Sequence, residues 1–192
     1  MTPDQVITEF KDSGALLEGH FKLSSGKHSG HYLQCARVLM DPARATRIAE
    51  ALADRLPAEL RSRIDAVVSP AMGGVIIGHE MGRALGKNAM FLERPEGTFE
   101  LRRGFALQAG ENVLLVEDVV TTGLSSRQAI KAVDDCGGRV LALASIVDRT
   151  NGDTGFDVPY HALTKIDFPT YDEDDVPPEL AAIPVTKPGS RA

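Results

Sequence analysis

The chain has 192 residues, 43% hydrophobic and 25% charged, which suits one globular domain with a sizeable buried core. A net charge of −6 argues against a general nucleic-acid binder, which needs a basic footprint, yet leaves room for a small anion in a locally positive pocket. Two distant cysteines, Cys35 and Cys136, exclude a cysteine-rich zinc site and argue against a disulfide framework. No apolar run reaches the length of a membrane span and "MTPDQVITEF" does not read as a signal peptide, so a cytoplasmic protein without a membrane partner is expected.

In chain order, "PDQVITEFKDSGALLE" reads as a short amphipathic helix with Val6, Ile7 and Phe10 on its buried face. "GHFKLSSGKHSGHYLQCARVL" mixes alternating residues with Gly and Ser and reads as extended or hairpin structure, with His28 and His31 as exposed hairpin histidines. "DPARATRIAEALADRL" is a helix: Asp41 caps it, Pro42 suits its first turn, and Ile48, Leu52 and Leu56 recur every four residues. From residue 65 the pattern becomes regular. Strands are expected at "DAVVSP", "NAMFLER", "NVLLVED" and "RVLALASIVDR", helices at "AMGGVIIGHEMGRALG" and "SSRQAIKAVDDCGG", and a turn with a return strand at "PEGTFELRRGF". Ser125 and Gln128 read as a capping box, Ala129, Ile130 and Val133 as the buried stripe, and Gly137-Gly138 as the stop. Strands alternating with helices of about a dozen residues indicate an α/β fold, a parallel sheet covered on both faces. The tail, "YDEDDVPPELAAIPVTKPGSRA", is expected to be an irregular wrap, and no linker divides the chain.

"VLLVEDVVTTGLSS" carries the chemistry. In an open α/β sheet, ligands bind beyond the carboxyl ends of the strands, where Glu117 and Asp118 fall. The turn that follows opens a helix, whose free N–H groups and partial positive charge suit a phosphate. Thr121, Thr122 and Ser125 add hydroxyls, and Gly123 lets the backbone approach closely. Two carboxylates beside a phosphate cradle fit a ribose 5-phosphate, the acids on its hydroxyls. Solvated acids in a capped strand–helix turn are the plainer reading of the same residues.

The stretch resembles the phosphoribosyl-diphosphate (PRPP) signature of the type I phosphoribosyltransferases. Together with "GALLEGHFKLSSGKHSGHYLQ", "SPAMGGVIIGHEMGRALG", "FLERPEGTFELRRGF" and "ASIVDR" it is similar to the orotate phosphoribosyltransferase family over most of residues 14–150. The closing "KPGSR" is similar to tails in one bacterial branch of that family. The resemblance implies the type I phosphoribosyltransferase fold: a central parallel sheet with helices on both faces and a small N-terminal hood. In this reading residues 1–192 form one domain, the hood covers about 1–40 and the tail begins near 168.

The resemblance also implies the ligands' places. Glu117 and Asp118 would take the ribose hydroxyls, directly or through Mg²⁺ and water, with Asp118 catalytic. Val119, Val120, Thr121, Thr122, Gly123, Leu124 and Ser125 would bind PRPP, and Met72 and Gly73 in "SPAMGG" its diphosphate. Thr121 and Arg149 would hold orotate, with Tyr32 and Leu33 facing its ring; an arginine fork suits a planar carboxylate. Mg²⁺ would be held mainly by PRPP and water, with Glu117 and Asp118 as candidate protein ligands, and the working unit would be a homodimer. Close helix–sheet packing accounts for Gly78 and Gly82 better than ligand contact does.

Three departures from the family pattern stand out. Ser24 replaces a lysine before the hairpin "SG", with Lys27 three residues later, and Gly73 replaces a lysine in the diphosphate loop. The mobile loop, rich in lysine and carrying a histidine in the family, here offers only Arg94, Arg102 and Arg103 among Glu93, Glu96 and Glu100. Arginine can clamp a departing diphosphate but is a poor proton donor. Two alternatives therefore stay open: transfer to another base, and a non-catalytic PRPP-sensing regulator.

Overall fold

The computed structural model describes residues 1–23, 25–150, 152 and 154–187; Ser24 and the closing "PGSRA" lie outside them. α1 (Pro3–Asp12) begins at a capping box between Thr2 and Gln5 and buries Val6 and Phe10. β1 (Leu16–Lys22) and β2 (His28–Leu33) form the antiparallel hairpin. The hairpin ends earlier than the sequence suggests, because Cys35–Leu39 coils into α2 and buries Cys35, Val38 and Leu39.

α3 (Pro42–Arg55) is capped as expected: the Asp41 carboxylate accepts from the N–H groups of Ala43 and Arg44 at 2.9 and 3.2 Å. Its Ile48 and Leu52 are fully buried; truncating such a side chain to alanine costs about 2–5 kcal/mol. α4 (Ala58–Arg63), which the sequence pattern did not suggest, leads into β3 (Ala66–Pro70). Then come α5 (Gly74–Leu85), β4 (Asn88–Glu93), β5 (Glu100–Leu101), β6 (Asn112–Val120), α6 (Leu124–Asp135) and β7 (Arg139–Asp148). β8 (Tyr160–Lys165) follows, a further strand that the sequence reading lacked.

These strands make one six-stranded sheet in the order β5-β4-β3-β6-β7-β8. All its pairs are parallel except β4 with β5, the expected return strand. β6 is buried on both sides: Leu114 and Val116 face a cluster with α1, α2, α3 and α5, while Val113 and Leu115 face α6. Gly78 and Gly82 serve packing, since a Cβ at Gly78 would collide with Ser69 and one at Gly82 would lie 2.8 Å from Ala89 Cβ. Among the described residues no helix is long and apolar enough to cross a membrane.

The tail departs from the expected irregular wrap. β9 (Thr170–Tyr171) pairs with β2, a 3₁₀ turn (Glu173–Asp175) and α7 (Pro178–Ala181) follow, and β10 (Val185–Thr186) runs parallel to β1. The hairpin's strands thus gain a partner on each edge, giving a second sheet in the order β10-β1-β2-β9. The acidic run that looked like a solvated tail meets hairpin lysines, Glu173 with Lys22 and Asp172 with Lys27, each at 3.0 Å.

His28 is likewise not an exposed hairpin histidine. It is 5% exposed, its Nδ1 lies 2.6 Å from His20 Nε2, and His20 Nδ1 is hydrogen-bonded to the Ile183 carbonyl at 3.1 Å. His31 is half-buried and stacks on Phe168, ring centroids 4.5 Å apart.

Candidate functional site

Alternation along β6 turns its two acids to opposite faces. Glu117, 6% exposed, points toward α6, where the hydroxyls of Ser125 and Ser126 donate to it, the latter at 3.3 Å. Burial, with the neighbouring Asp118 charge, pushes its carboxyl up to about 8. Asp118 points the other way, and burial raises its carboxyl too. It accepts from the Val119 N–H at 2.9 Å and from the Cys35 thiol, and a Cβ on Gly73 would lie 2.7 Å from its Oδ2. A side chain at position 73 would push the Asp118 carboxylate aside.

Past β6 the chain turns through Thr121 and Thr122, both exposed, to Gly123 at φ 72°. Gly123 is the N-cap of α6 and no side chain caps the helix, so the Ser125–Gln128 capping box does not form; Ser125 sits inside the first turn and bonds Glu117 instead. The Leu124 N–H donates to Thr122 Oγ1 at 3.4 Å, and exposed Leu124 and Ser125 bring the start of α6 to the surface, where an anion cradle belongs. Across from it, the "AMGG" loop presents Met72, 83% exposed, and Gly73 at the start of α5.

Arg149 follows β7, its N–H bonded to the Val120 carbonyl at 2.8 Å, which sets it beside the turn. It is not a surface partner of Asp148, whose carboxylate accepts from the Thr150 N–H instead. The guanidinium lies 5.3 Å from the Phe168 ring centre, and its buried Nε has no hydrogen-bond partner. Burial lowers its proton affinity, opposed first by Asp167 and then by Cys35 and Tyr32. Tyr32 shares this electrostatic cluster with Cys35, Asp118 and Arg149. Leu33, the next residue on β2, points away into the main core, so the structure brings Tyr32 to the site and not Leu33.

The sequence and fold now have named counterparts. The family described as "Phosphoribosyl transferase domain" matches residues 36–166. Orotate phosphoribosyltransferase of Erythrobacter litoralis is 68% identical over 192 residues, covering all of both chains. That of Novosphingobium aromaticivorans is 66% identical over 192 residues, covering all of this chain and 99% of its own. The chain belongs to the orotate phosphoribosyltransferase family. A crystal structure of orotate phosphoribosyltransferase from Aeropyrum pernix superposes with a TM-score of 0.70 at 26% identity, covering 84% of this chain and 93% of that one. The fold is accordingly the type I phosphoribosyltransferase fold.

Within this orotate phosphoribosyltransferase family member, the three loop arginines divide. Arg102 and Arg103 both reach back to Glu93, at 3.9 and 2.6 Å, across the β4–β5 hairpin. Arg94 goes elsewhere. Its guanidinium donates to Gln128 Oε1 on α6 at 2.7 Å, lies 4.0 Å over the Phe99 ring, and its field lowers the Glu117 carboxyl. Arg94 is thus the loop cation on the Glu117 side of β6.

Sequence reasoning missed Cys35, Ser126 and Phe168. Ser126 was open to discovery, since a second hydroxyl in the first turn of α6 faces back along the strand. Nothing in the local pattern marks Phe168, which reaches Arg149 only through the long connection after β8.

Proposed function

We propose that the chain is an orotate phosphoribosyltransferase, moving the 5-phosphoribosyl group of PRPP to orotate with release of orotidine 5′-monophosphate and diphosphate, in the pyrimidine (UMP) route. The observation that carries the reading is the half-buried Arg149 guanidinium, whose buried Nε has no partner, in one electrostatic cluster with Tyr32 and Asp118. A half-buried cation with an open buried donor calls for an anionic, planar ligand, and a carboxylated pyrimidine supplies both properties.

In this proposal the α6 N-terminus and Thr121 to Ser125 hold the 5-phosphate, and Asp118 takes a ribose hydroxyl while the "AMGG" backbone receives the diphosphate. Thr121 and Arg149 hold the orotate carboxylate, with Tyr32 alongside the ring. Such a site works by placing two anions and stabilising charge as it separates, so preorganised dipoles carry most of the effect. Arg94 is the best-placed loop group to meet the departing diphosphate, with Arg102 and Arg103 released from Glu93 when the loop closes.

The residues present also fit Mg²⁺. The Asp118 carboxylate lies beside the "AMGG" loop at the end of β6, and a lone oxygen donor of this kind suits Mg²⁺. That is the donor set of a metal bound chiefly by substrate oxygens and water. Bound there through Asp118, on the face of β6 opposite Glu117, Mg²⁺ would neutralise diphosphate charge. A cytoplasmic homodimer is the assembly that fits this reading.

The test is turnover with Mg²⁺, PRPP and orotate, following loss of orotate absorbance, with uracil, adenine and hypoxanthine in parallel. Orotate alone should react. Turnover of another base in its place, or PRPP binding with no turnover, would overturn the proposal.

A further inference from the structure

The turn 121–123 has little of its own to hold it in place: Thr121 and Thr122 are exposed, Gly123 offers no side-chain cap, and the Leu124 N–H reaches Thr122 Oγ1 only at 3.4 Å. What grips it is Arg127, one helical turn along. The Arg127 N–H donates to the Gly123 carbonyl at 2.9 Å. Its Nη1 donates to the Thr122 carbonyl at 3.2 Å and to the Thr154 carbonyl at 2.5 Å. A Cβ at Gly123 would lie 3.0 Å from that Nη1 and 2.9 Å from the Phe156 ring, so guanidinium and ring together form the floor of the turn.

Thr154 belongs to the segment that follows Arg149. Two stretches of chain leave the carboxyl end of the sheet side by side here, one forming the phosphate turn and the other carrying Arg149. The backbone bond from Arg149 to Val120 ties them where the strands end, and Arg127 ties them again farther out. A guanidinium presents several donors in a fixed plane and can serve two carbonyls at once, whereas an ammonium is a point charge on a flexible stem.

We propose that Arg127 is a positioning residue that locks the phosphate turn and the Arg149 segment in one register, so that the two substrate subsites are held together. This rests on the reading that residues 121–125 hold the 5-phosphate and Arg149 the orotate. Its distinguishing consequence is that one substitution, outside both subsites, weakens both substrates.

The experiment compares Arg127→Met and Arg127→Lys with the unaltered protein in steady-state kinetics and in equilibrium binding of PRPP. Losing charge-assisted bonds to the turn should raise KM and Kd for PRPP about tenfold in Arg127→Met. KM for orotate should rise by a smaller factor, kcat should fall less than either KM rises, and the melting temperature should hold. Arg127→Lys should recover part of the PRPP affinity and little of the orotate affinity, because charge returns without the fork. If Arg127→Met does not fold, the same two constants in Arg127→Lys decide the matter. Unchanged KM for both substrates, a rise for PRPP alone, or a fall in kcat with both KM values unchanged would each overturn the proposal. Asp118→Asn measured alongside separates the failures. If it binds PRPP undiminished, the placement of PRPP is wrong; if it loses PRPP while Arg127 variants behave normally, only the role of Arg127 is.

Discussion

The phosphate side and the base side of this site are built by different means. The phosphate side is local: Glu117 to Ser125 come from one strand, one turn and the start of one helix. The base side is assembled from distant pieces, Tyr32 and Cys35 from the hairpin region, Arg149 from the end of β7, and Phe168 from the stretch before β9. A local site is fixed by strand alternation and a helix start, and can be read from a dozen residues. A distributed site depends on the tail closing over the hairpin, so its precision rests on packing between segments more than 100 residues apart, such as Ser29 Oγ donating to the Pro169 carbonyl.

That contrast is broken most sharply by Asp118→Asn, for which the largest effect is expected. The carboxylate is held by the Val119 N–H and the Cys35 thiol, and it fills the space that a side chain at position 73 would take. PRPP affinity should fall by about 100-fold or more, as for a buried charged partner removed from its ligand, with orotate binding unaltered. Calorimetric titration of PRPP checks it, and undiminished binding would show that the ribose lies elsewhere. Arg149→Met is the opposite experiment. It should raise KM for orotate by about 10- to 100-fold, the range for a lost charged hydrogen-bond pair, and leave Kd for PRPP within a small factor. An equal rise for both substrates would mean the two sides are not separable.

A smaller effect, on the base side alone, is expected from Phe168→Ala. The ring stacks on His31 and lies under Arg149, so its removal leaves the guanidinium less fixed without removing it. KM for orotate should rise about threefold to tenfold, in line with about 0.5–1.5 kcal/mol for an aromatic contact, with PRPP untouched. Orotate kinetics in this variant identical to the parent would show that Arg149 holds its place unaided.

The same division explains what could be read in the sequence. β3, α5, β6, α6 and β7 were legible because apolar runs of strand length alternate with glycine-bounded helices, and each element's signal lies within itself. The capping box at Ser125 misled because a hydroxyl in a first turn looks alike whether it bonds its own helix or, as here, Glu117 on the strand before it. β8 was missed because "YHALTK" is short and half-polar, and only its pairing with β7 makes it a strand. His28 looked exposed because its partners, His20 across the hairpin and the tail near Ile183, are joined only by the folded chain. The role of Leu33 suffered from a period-2 ambiguity: adjacent strand residues cannot both face one ligand, and the pattern did not say which one did.

The smallest predicted effect concerns the acid that the phosphate side keeps buried. In the folded chain the Glu117 carboxyl titrates near 8, against an unfolded value of 4.5, because burial and Asp118 disfavour its charge. The folded state therefore keeps a proton that the unfolded state has lost, and between those two values stability falls as pH rises. Glu117→Gln mimics the protonated side chain at every pH and still accepts from Ser126. Without ligand, its melting temperature should lie near the parent's at pH 5 and exceed it by several degrees at pH 8, the gap widening with pH. Thermal melts across that range check it. A constant gap, or one that closes with rising pH, would show that Glu117 is already charged in the folded protein. Saturating PRPP and Mg²⁺ should shrink or reverse the gap, since a bound cation favours the carboxylate that glutamine cannot supply.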